Sequence, residues 1–238
     1  MRRFYAPREN FADGSVELNA EETRHLRDVL RLKTGDEVNV FDGMGREFTC
    51  KIESIEKKGT ILTIVSETSA EAPESKLILN LAAAITKGEK FDIVVQKAVE
   101  LGAASLQPLY TQRCEVKPTG SERRLVRWRK IALEASKQCG RAKLMKVNEP
   151  IDFAQFARTV SGDVIMFSER DGKSFSKVKP AGELTAVVGP AGGWDDSELA
   201  AARERGFQIT TLGGRILRAE TAAIAFLAII QHRFGDIN

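Results

Sequence analysis

Two glycine-containing stretches carry most of the information in this chain: Val187-Val188-Gly189-Pro190-Ala191-Gly192-Gly193-Trp194 and Leu212-Gly213-Gly214-Arg215-Ile216-Leu217-Arg218-Ala219-Glu220-Thr221-Ala222. Each follows an apolar run typical of a buried strand and leads into a helical sequence. Glycines let the backbone approach a ligand closely, and the first amides of a helix are free donors. Together the stretches predict one small-molecule site divided between two loops. Neither stretch matches Gly-x-Gly-x-x-Gly or a phosphate-binding Gly-Lys-Ser/Thr sequence, so the motifs do not support NAD or ATP binding.

Strand-like and helix-like segments alternate on both sides of these loops. Strands are predicted at 77–83, 105–109, 163–167, 184–188 and 207–210, and helices at 89–101, 121–138, 195–205 and 218–233. This alternation is typical of an α/β fold with a mostly parallel sheet covered on both faces. Gly102 and Gly206 stand where two of the helices are expected to end.

The amino-terminal part predicts a small, mainly β domain. Asn19-Ala20-Glu21-Glu22 is a capping-box sequence, expected to open a short helix that runs to Leu30. Strands at 37–41, 46–55 and 60–66 are expected to form a short barrel. Residues 67–75 have no large apolar side chain and contain a proline, which is typical of a linker. The predicted domains are therefore 1–70 and 76–238.

The last predicted helix is apolar nearly all round, from Ala222 to Ile230. A helix without a polar face must be buried on all sides. Two environments meet that requirement: a contact with a second copy of the chain, or the interior of the domain. The alanines permit close approach of another helix, which favours a homodimer.

Composition and cysteine usage exclude several classes of protein. The 42% hydrophobic and 29% charged residues are typical of a globular domain, and the longest apolar run is too short to span a bilayer. The first residues are charged and have no apolar segment of a secretory signal behind them, so a cytoplasmic location is expected. Cys50, Cys114 and Cys139 are widely spaced, and only two histidines are present. No disulfide framework and no metal site are predicted.

The positive charge is concentrated, although the net charge is only +3. Residues 113–146 contain eleven lysines and arginines against three glutamates, and Arg24, Arg27 and Arg31 are spaced to share one face of a helix. Two such groups favour RNA or DNA over a membrane as the partner. The candidate contacts to nucleic acid are Arg2, Arg3, Arg8, Arg24, Arg27, Arg31, Arg123, Arg124, Arg127 and Arg141.

Motifs along the whole chain resemble the RsmE family of SPOUT-class methyltransferases. The two glycine stretches carry most of the resemblance. Further matching segments are Arg2-Arg3-Phe4-Tyr5, His25-Leu26-x-x-Val29-Leu30-Arg31-Leu32-Lys33-x-Gly35-Asp36, Lys87-Gly88-Glu89-Lys90, Gln96-Lys97-Ala98-x-Glu100-Leu101-Gly102 and Glu134-Ala135-x-x-Gln138-x-x-Arg141. Where the family usually has Glu, this chain has Ala191.

The resemblance implies a PUA-like domain, an α/β domain with a deep trefoil knot, and a homodimer. It also implies that S-adenosylmethionine (SAM) is the cofactor and that the enzyme methylates N3 of a uridine in 16S ribosomal RNA. The implied cofactor-binding residues are Phe167, Ser168, Glu169, Val188, Gly189, Pro190, Gly192, Gly193, Leu212, Gly213, Ile216, Leu217 and Arg218.

Loss of the N3 proton of uridine requires a base or stabilisation of the developing anion. Arg218 is the candidate for anion stabilisation. Glu220 is the candidate base, or a residue that only orients Arg218. Two other functions remain open: an RNA-binding ribosome-assembly factor without catalysis, and a related methyltransferase that acts on tRNA or on a ribose 2′-OH.

Overall fold

The structure is a computed structural model that describes residues 2–170, 172–175 and 182–237. The chain divides into two compact units. Unit 1 comprises residues 1–74 and 136–144, and unit 2 comprises residues 75–135 and 145–238. No sequence pattern predicted that residues 136–144 would group with the amino-terminal part. The boundaries 1–70 and 76–238 stay a prediction about independently folding domains.

Unit 1 is built on a six-stranded sheet. Its strands are β1 (Arg3–Tyr5), β2 (Phe11–Ala12), β3 (Ser15–Leu18), β4 (Glu37–Phe41), β5 (Glu47–Ile55) and β6 (Thr60–Thr68). Their order is β1-β4-β5-β6-β3-β2, with β1 parallel to β4 and the other pairs antiparallel. The alternating apolar residues of β4 and β5 supply one face of the core, as expected for a half-buried sheet. The predicted small β domain is confirmed.

The helix of unit 1 is shorter than predicted. Helix α1 (Ala20–Arg24) begins after Asn19, whose side chain accepts the amides of Glu21 and Glu22. A π-helical turn follows at His25–Val29, and Arg31 adopts a positive φ of 53°. The prediction that Arg24, Arg27 and Arg31 share one helical face is wrong, because the α-helix has ended before Arg31.

Buried ion pairs attach residues 136–144 to the rest of unit 1. Arg3, only 3% exposed, forms a two-point pair with Glu47 and also donates to the carbonyl oxygen of Ser136 at 2.8 Å. Lys137 contacts the Glu22 carboxylate at 2.9 Å, and Arg141 pairs with Glu74. Removing one member of such a pair would leave a charge buried without compensation. These contacts explain why the segment belongs to unit 1.

Unit 2 contains a sheet in which every pair of strands is parallel. Its strands are β7 (Ile78–Ala84), β8 (Ser105–Tyr110), β9 (Lys146–Val147), β10 (Ile151–Asp152), β11 (Asp163–Phe167), β12 (Lys173–Ser174), β13 (Glu183–Val188) and β14 (Gln208–Thr211). The order is β10-β8-β7-β13-β11-β14-β12, and β9 pairs with β8. The predicted parallel sheet is therefore confirmed. The trefoil knot rests on the family resemblance and stays a prediction.

The helices of unit 2 follow the predicted segments closely, with one exception. They are α2 (Lys90–Glu100), α3 (Ser121–Cys139, whose last four residues belong to unit 1), α4 (Phe153–Thr159), α5 (Asp196–Glu204) and α6 (Ala219–Phe234). Gly102 and Gly206 follow α2 and α5 with φ of 75°, as expected of residues that end helices. Helix α4 was not predicted, because seven residues are too few for a clear helical period.

Helix α6 is buried on one side, and its outer side carries apolar residues that are only partly buried. Ala223, Phe226, Leu227 and Ile230 are buried, whereas Ile229 remains 37% exposed. Ile224, Ala225 and Ala228 are half-buried. Within the described residues, no helix is both long enough and apolar enough to cross a membrane. The alternative of an entirely internal α6 is therefore wrong, and an apolar strip of the helix remains available for contact.

Candidate active site

Three neighbouring strands of unit 2 end at the same edge of the sheet and place the site there. Strand β11 lies between β13 and β14, and Phe167 is in register with Val188 on one side and Thr210 on the other. Because the strands are parallel, the loops that follow them meet at their carboxyl ends. This topology brings the two glycine stretches together with the segment after Phe167.

The loops enclose a cavity of about 700 Å³, including the part that is open to solvent. Its lining combines backbone-rich glycine loops with apolar side chains. The lining residues are Phe167, Ser168, Glu169, Val188, Gly189, Pro190, Gly193, Trp194, Thr211, Leu212, Gly213, Gly214, Arg215, Ile216, Leu217, Ala219, Ala222 and Phe226.

The first glycine loop packs on the side chain of Trp194. Trp194 is buried, and its indole N–H donates to the carbonyl oxygen of Phe167 at 2.8 Å. A Cβ atom on Gly189 would lie 2.8 Å from the indole ring, which is closer than real Cβ atoms approach. Glycine at 189 is therefore required by the close packing of the loop on Trp194.

A capping box orders the end of the same loop. The Asp195 side chain accepts from Ser197, and the Glu198 carboxylate accepts the Asp195 amide at 3.0 Å. The side-chain hydrogen bond from Ser197, its backbone hydrogen bond and the charge of Arg113 lower the pKa of Asp195. The first turn of α5 is thus capped by two acidic residues, which suits the positive end of a helix.

The second glycine loop is attached to the segment after β11 by hydrogen bonds. The amide of Ser168 donates to Thr210, and the Thr211 hydroxyl donates to the carbonyl oxygen of Ser168 at 2.8 Å. Beyond these contacts, Gly213 has a φ of 64° and Ile216 is 85% exposed. An apolar side chain so exposed at a cavity mouth is available to cover a bound ligand.

Helix α6 closes the cavity with small residues and one aromatic ring. Ala219, Ala222 and Phe226 line the cavity, and their i, i+3, i+7 spacing puts them on one helical face. The Phe226 ring stacks on Phe167, with ring centroids 3.5 Å apart. The sequence prediction missed these residues, although the same spacing was present as a signal.

The structure brings most of the predicted cofactor residues together around the cavity. The two exceptions are Gly192 and Arg218, which are not among its lining residues. Arg218 precedes α6 and is exposed, and Glu220 in the first turn lies 4.0 Å from Lys90. Trp194, Thr211, Gly214 and Arg215 line the cavity but were not predicted. Assignment of these residues to a cofactor remains a proposal.

The predicted nucleic-acid contacts fall into three groups: buried, half-buried and exposed. Arg3 and Arg141 are buried in the ion pairs of unit 1, so the structure removes them from the candidate set. Arg124 is held by the Thr119 and Lys117 carbonyl oxygens, which leaves it half-buried. The exposed candidates are Arg2, Arg8, Arg24, Arg27, Arg31, Arg123 and Arg127.

Some of the exposed arginines are already paired. Arg27 pairs with Asp28, and Arg127 pairs with Asp92. Such surface pairs contribute little to stability. Among the described residues, no group of three or more histidine, cysteine or acidic side chains could hold a metal ion.

Comparison with known proteins places this geometry in a known class. A family model described as an RNA methyltransferase domain matches residues 73–231, and one described as an RNA methyltransferase PUA domain matches residues 18–65. The chain therefore has an RNA methyltransferase domain and an RNA methyltransferase PUA domain.

Relatives with a common name match most of the chain. Ribosomal RNA small subunit methyltransferase E of Synechocystis is 35% identical over 94% of this chain and 75% of its own length. The Bacillus subtilis protein of the same name is 28% identical over 91% of this chain and 89% of its own length. The chain belongs to this family of RNA methyltransferases.

Solved structures agree with this assignment. Ribosomal RNA small subunit methyltransferase E from Neisseria gonorrhoeae, bound to SAM, superposes with a TM-score of 0.92 at 35% identity, and all of both chains is covered. A protein from Legionella pneumophila, solved with bound SAM, gives a TM-score of 0.91 at 34% identity and covers 99% of this chain and 98% of its own.

Proposed function

We propose that this protein uses SAM to methylate N3 of one uridine in the 16S ribosomal RNA of the small subunit. The observation that carries the proposal is the cavity at the carboxyl ends of β11, β13 and β14, in a member of a family whose Neisseria gonorrhoeae relative binds SAM. Small-subunit ribosomal RNA as the substrate is supported by the name of the relatives. The uridine and its N3 atom rest on the motif resemblance.

The chemistry of the cavity lining suits SAM. Gly189 and Gly213 permit the backbone to approach a ligand, and Phe167 and Phe226 supply an apolar wall. The residues proposed to hold SAM are Phe167, Ser168, Glu169, Val188, Gly189, Pro190, Gly193, Leu212, Gly213, Ile216 and Leu217. When bound, SAM supplies an activated methyl group that passes to uridine N3 as the sulfur–methyl bond breaks and the N3 proton is released.

Arg218 and Glu220 are the proposed catalytic residues. Arg218 is exposed directly before α6, where its guanidinium is free to approach a base brought to the cavity. Its charge stabilises the anion that develops as N3 loses its proton. Glu220 either accepts that proton or orients Arg218. The Lys90 ammonium group lies 4.0 Å from the Glu220 carboxylate.

The exposed arginines are proposed to hold the RNA backbone. Arg2, Arg8, Arg24, Arg27 and Arg31 belong to unit 1, and Arg123 and Arg127 belong to unit 2. Contacts of this kind release counterions from phosphate groups, so the affinity for RNA is expected to fall steeply with salt. The target uridine must leave its stack to reach the cavity.

A homodimer and a cytoplasmic location complete the proposal. The partly exposed apolar strip of α6, with Ile229 at its centre, supports association with a second copy. The cytoplasm is the proposed location because ribosomal RNA of the small subunit is the proposed substrate.

The test is transfer of labelled methyl from SAM to small ribosomal subunits that lack their native methylation. We expect one N3-methyluridine per subunit, found by nucleoside analysis, and a loss of kcat of about 10²–10³-fold in Arg218→Ala. Arg158→Ala is the matched control, because Arg158 is an exposed arginine on α4.

Two results would contradict the proposal. SAM binding without methyl transfer would make the protein an RNA-binding assembly factor. Transfer to tRNA or to a ribose 2′-OH would keep the enzyme class and change the substrate.

A further inference from the structure

The segment after β8 lies directly against the first glycine loop. Glu198 joins the two segments: one carboxylate oxygen accepts the amide of Gln112 and the other accepts the amide of Asp195, each at 3.0 Å. Glu198 is only 5% exposed, so these charge-assisted hydrogen bonds are shielded from water. The position of the glycine loop therefore depends on the residues that follow β8.

Arg113, the next residue in that segment, contacts the glycine loop at two points. One guanidinium nitrogen donates to the carbonyl oxygen of Gly192 at 3.2 Å, and the other lies 3.3 Å from the Asp195 carboxylate. The planar guanidinium thus links the middle of the loop to the residue that caps α5. A lysine has one compact ammonium group and cannot match this fork.

Arg113 itself does not line the cavity, whereas its neighbours in the loop do. A Cβ atom on Gly192 would lie 3.3 Å from the Arg113 Cβ atom, so the arginine stem packs against Gly192. Gly189, Pro190, Gly193 and Trp194 line the cavity on the other side of the same loop. Gly192 does not line the cavity. Its missing side chain leaves room for the stem of Arg113 to pack against the loop.

We propose that Arg113 is a positioning residue that holds residues 189–195 in the conformation that binds SAM, without contacting the cofactor. The inference rests on the proposed function, because it takes the cavity as the SAM site. A loop held in its binding conformation loses less conformational entropy when the ligand arrives. Loss of Arg113 therefore weakens cofactor binding and leaves the chemical step unchanged once the site is saturated.

Separate measurements of the Kd for SAM and of kcat on the full-length protein test the inference. In Arg113→Met, we expect the Kd for SAM, measured by calorimetry, to rise about tenfold, while kcat at saturating SAM stays within about twofold of wild type. Arg113→Lys keeps the charge opposite Asp195 and is expected to give an intermediate Kd. Arg158→Met, an exposed arginine elsewhere in unit 2, is expected to bind SAM as wild type does.

Hydrogen exchange gives a second readout that a general loss of stability would not reproduce. Amides of residues 189–195 are expected to exchange faster in Arg113→Met without SAM and to regain protection with SAM, while the strands of unit 2 stay as in wild type. An unchanged Kd in Arg113→Met, or a fall in kcat at saturating SAM with an unchanged Kd, would overturn the inference. If Arg113→Met does not fold, Arg113→Lys takes its place. A Kd for SAM in Arg113→Lys equal to that of wild type would then overturn the inference.

Ala222→Phe separates failure of this inference from failure of the proposed site. Ala222 is half-buried and lines the cavity, so a larger side chain there fills part of the space that a ligand would occupy. If Ala222→Phe binds SAM normally, the cavity is not the cofactor site and the proposed function fails with the inference. If Ala222→Phe weakens binding and Arg113→Met does not, only the inference fails.

Discussion

Because Gly189 has no side chain, the first glycine loop can pack closely on Trp194 next to the cavity. The backbone of Gly189 rests on Trp194, whose indole N–H is bonded to Phe167. Trp194 therefore positions two other lining residues: Gly189 in its own loop, and Phe167 at the end of β11. At the same scale, burial raises the pKa of the Cys50 thiol to about 12, which keeps this cysteine unreactive at neutral pH.

Gly189→Ala is expected to destabilise the protein by about 1–3 kcal/mol, because its Cβ atom must displace the Trp194 ring. The Kd for SAM is expected to rise as well, since the displaced ring lines the cavity. Gly214→Ala is the matched control: Gly214 lines the same cavity, and a Cβ atom there meets nothing within 4 Å. Thermal unfolding and calorimetry measure the two effects. Equal stability of the two variants would contradict the packing argument.

Among the secondary-structure elements, α5 depends most directly on a charged cap. Asp195 accepts from Ser197 and also contacts Arg113. The neighbouring helix α4 begins after Asp152, whose side chain makes no cap hydrogen bond. An aspartate thus precedes both helices, but its side chain makes a cap hydrogen bond only at α5.

The lowered pKa of Asp195 predicts a pH-dependent contribution to stability. The pKa in the folded protein lies below the unfolded value of about 3.9, so the contribution is fully present above about pH 4 and is lost as the pH falls through the folded pKa. Asp195→Asn keeps an acceptor and removes the charge. Its unfolding temperature is expected to lie below that of wild type at neutral pH and to approach it in acid.

Asp152→Asn makes the same substitution at a helix start without the cap hydrogen bond. It is expected to follow the wild-type curve of unfolding temperature against pH. A constant difference between Asp195→Asn and wild type at every pH would show that the charge of Asp195 is not involved.

For the whole molecule, the partly exposed apolar side of α6 is the feature that a single copy leaves unexplained. The helix buries one side against unit 2, while Ile229 stays accessible beside half-buried alanines. Small residues beside a large apolar one allow two helices to pack closely. The same unit also exposes Ile216 at the cavity mouth.

Light scattering after size-exclusion chromatography is expected to give twice the chain mass of 26.2 kDa. Ile229→Glu is expected to shift the protein to the single-chain mass, because a carboxylate would be buried in the contact without a partner. Val126→Glu is the control, since Val126 is 68% exposed on α3, and it is expected to stay dimeric. A wild-type protein of single-chain mass at micromolar concentration would contradict the homodimer.

The periodicity of the chain was sufficient for most elements and for much of the site. Strands β4 and β11 have the predicted bounds, and α2 differs by one residue at each end. These segments have a strong apolar pattern and end at turns or glycines. The short elements β1, β2, β3, β9, β10, β12 and α4 were missed, because two to seven residues are too few to show a period and depend on pairing with distant strands.

Local sequence by itself determined the alternating α/β pattern, the capping of α1 and α5, and the two glycine loops, because these depend on neighbouring residues. Only the tertiary structure decided that Arg3 and Arg141 are buried partners of Glu47 and Glu74, that residues 136–144 belong to unit 1, and that Arg113 contacts the glycine loop. Charge is visible in a sequence, but the partner of a charge depends on contacts between distant residues, such as Lys137 and Glu22, which are 115 positions apart along the chain.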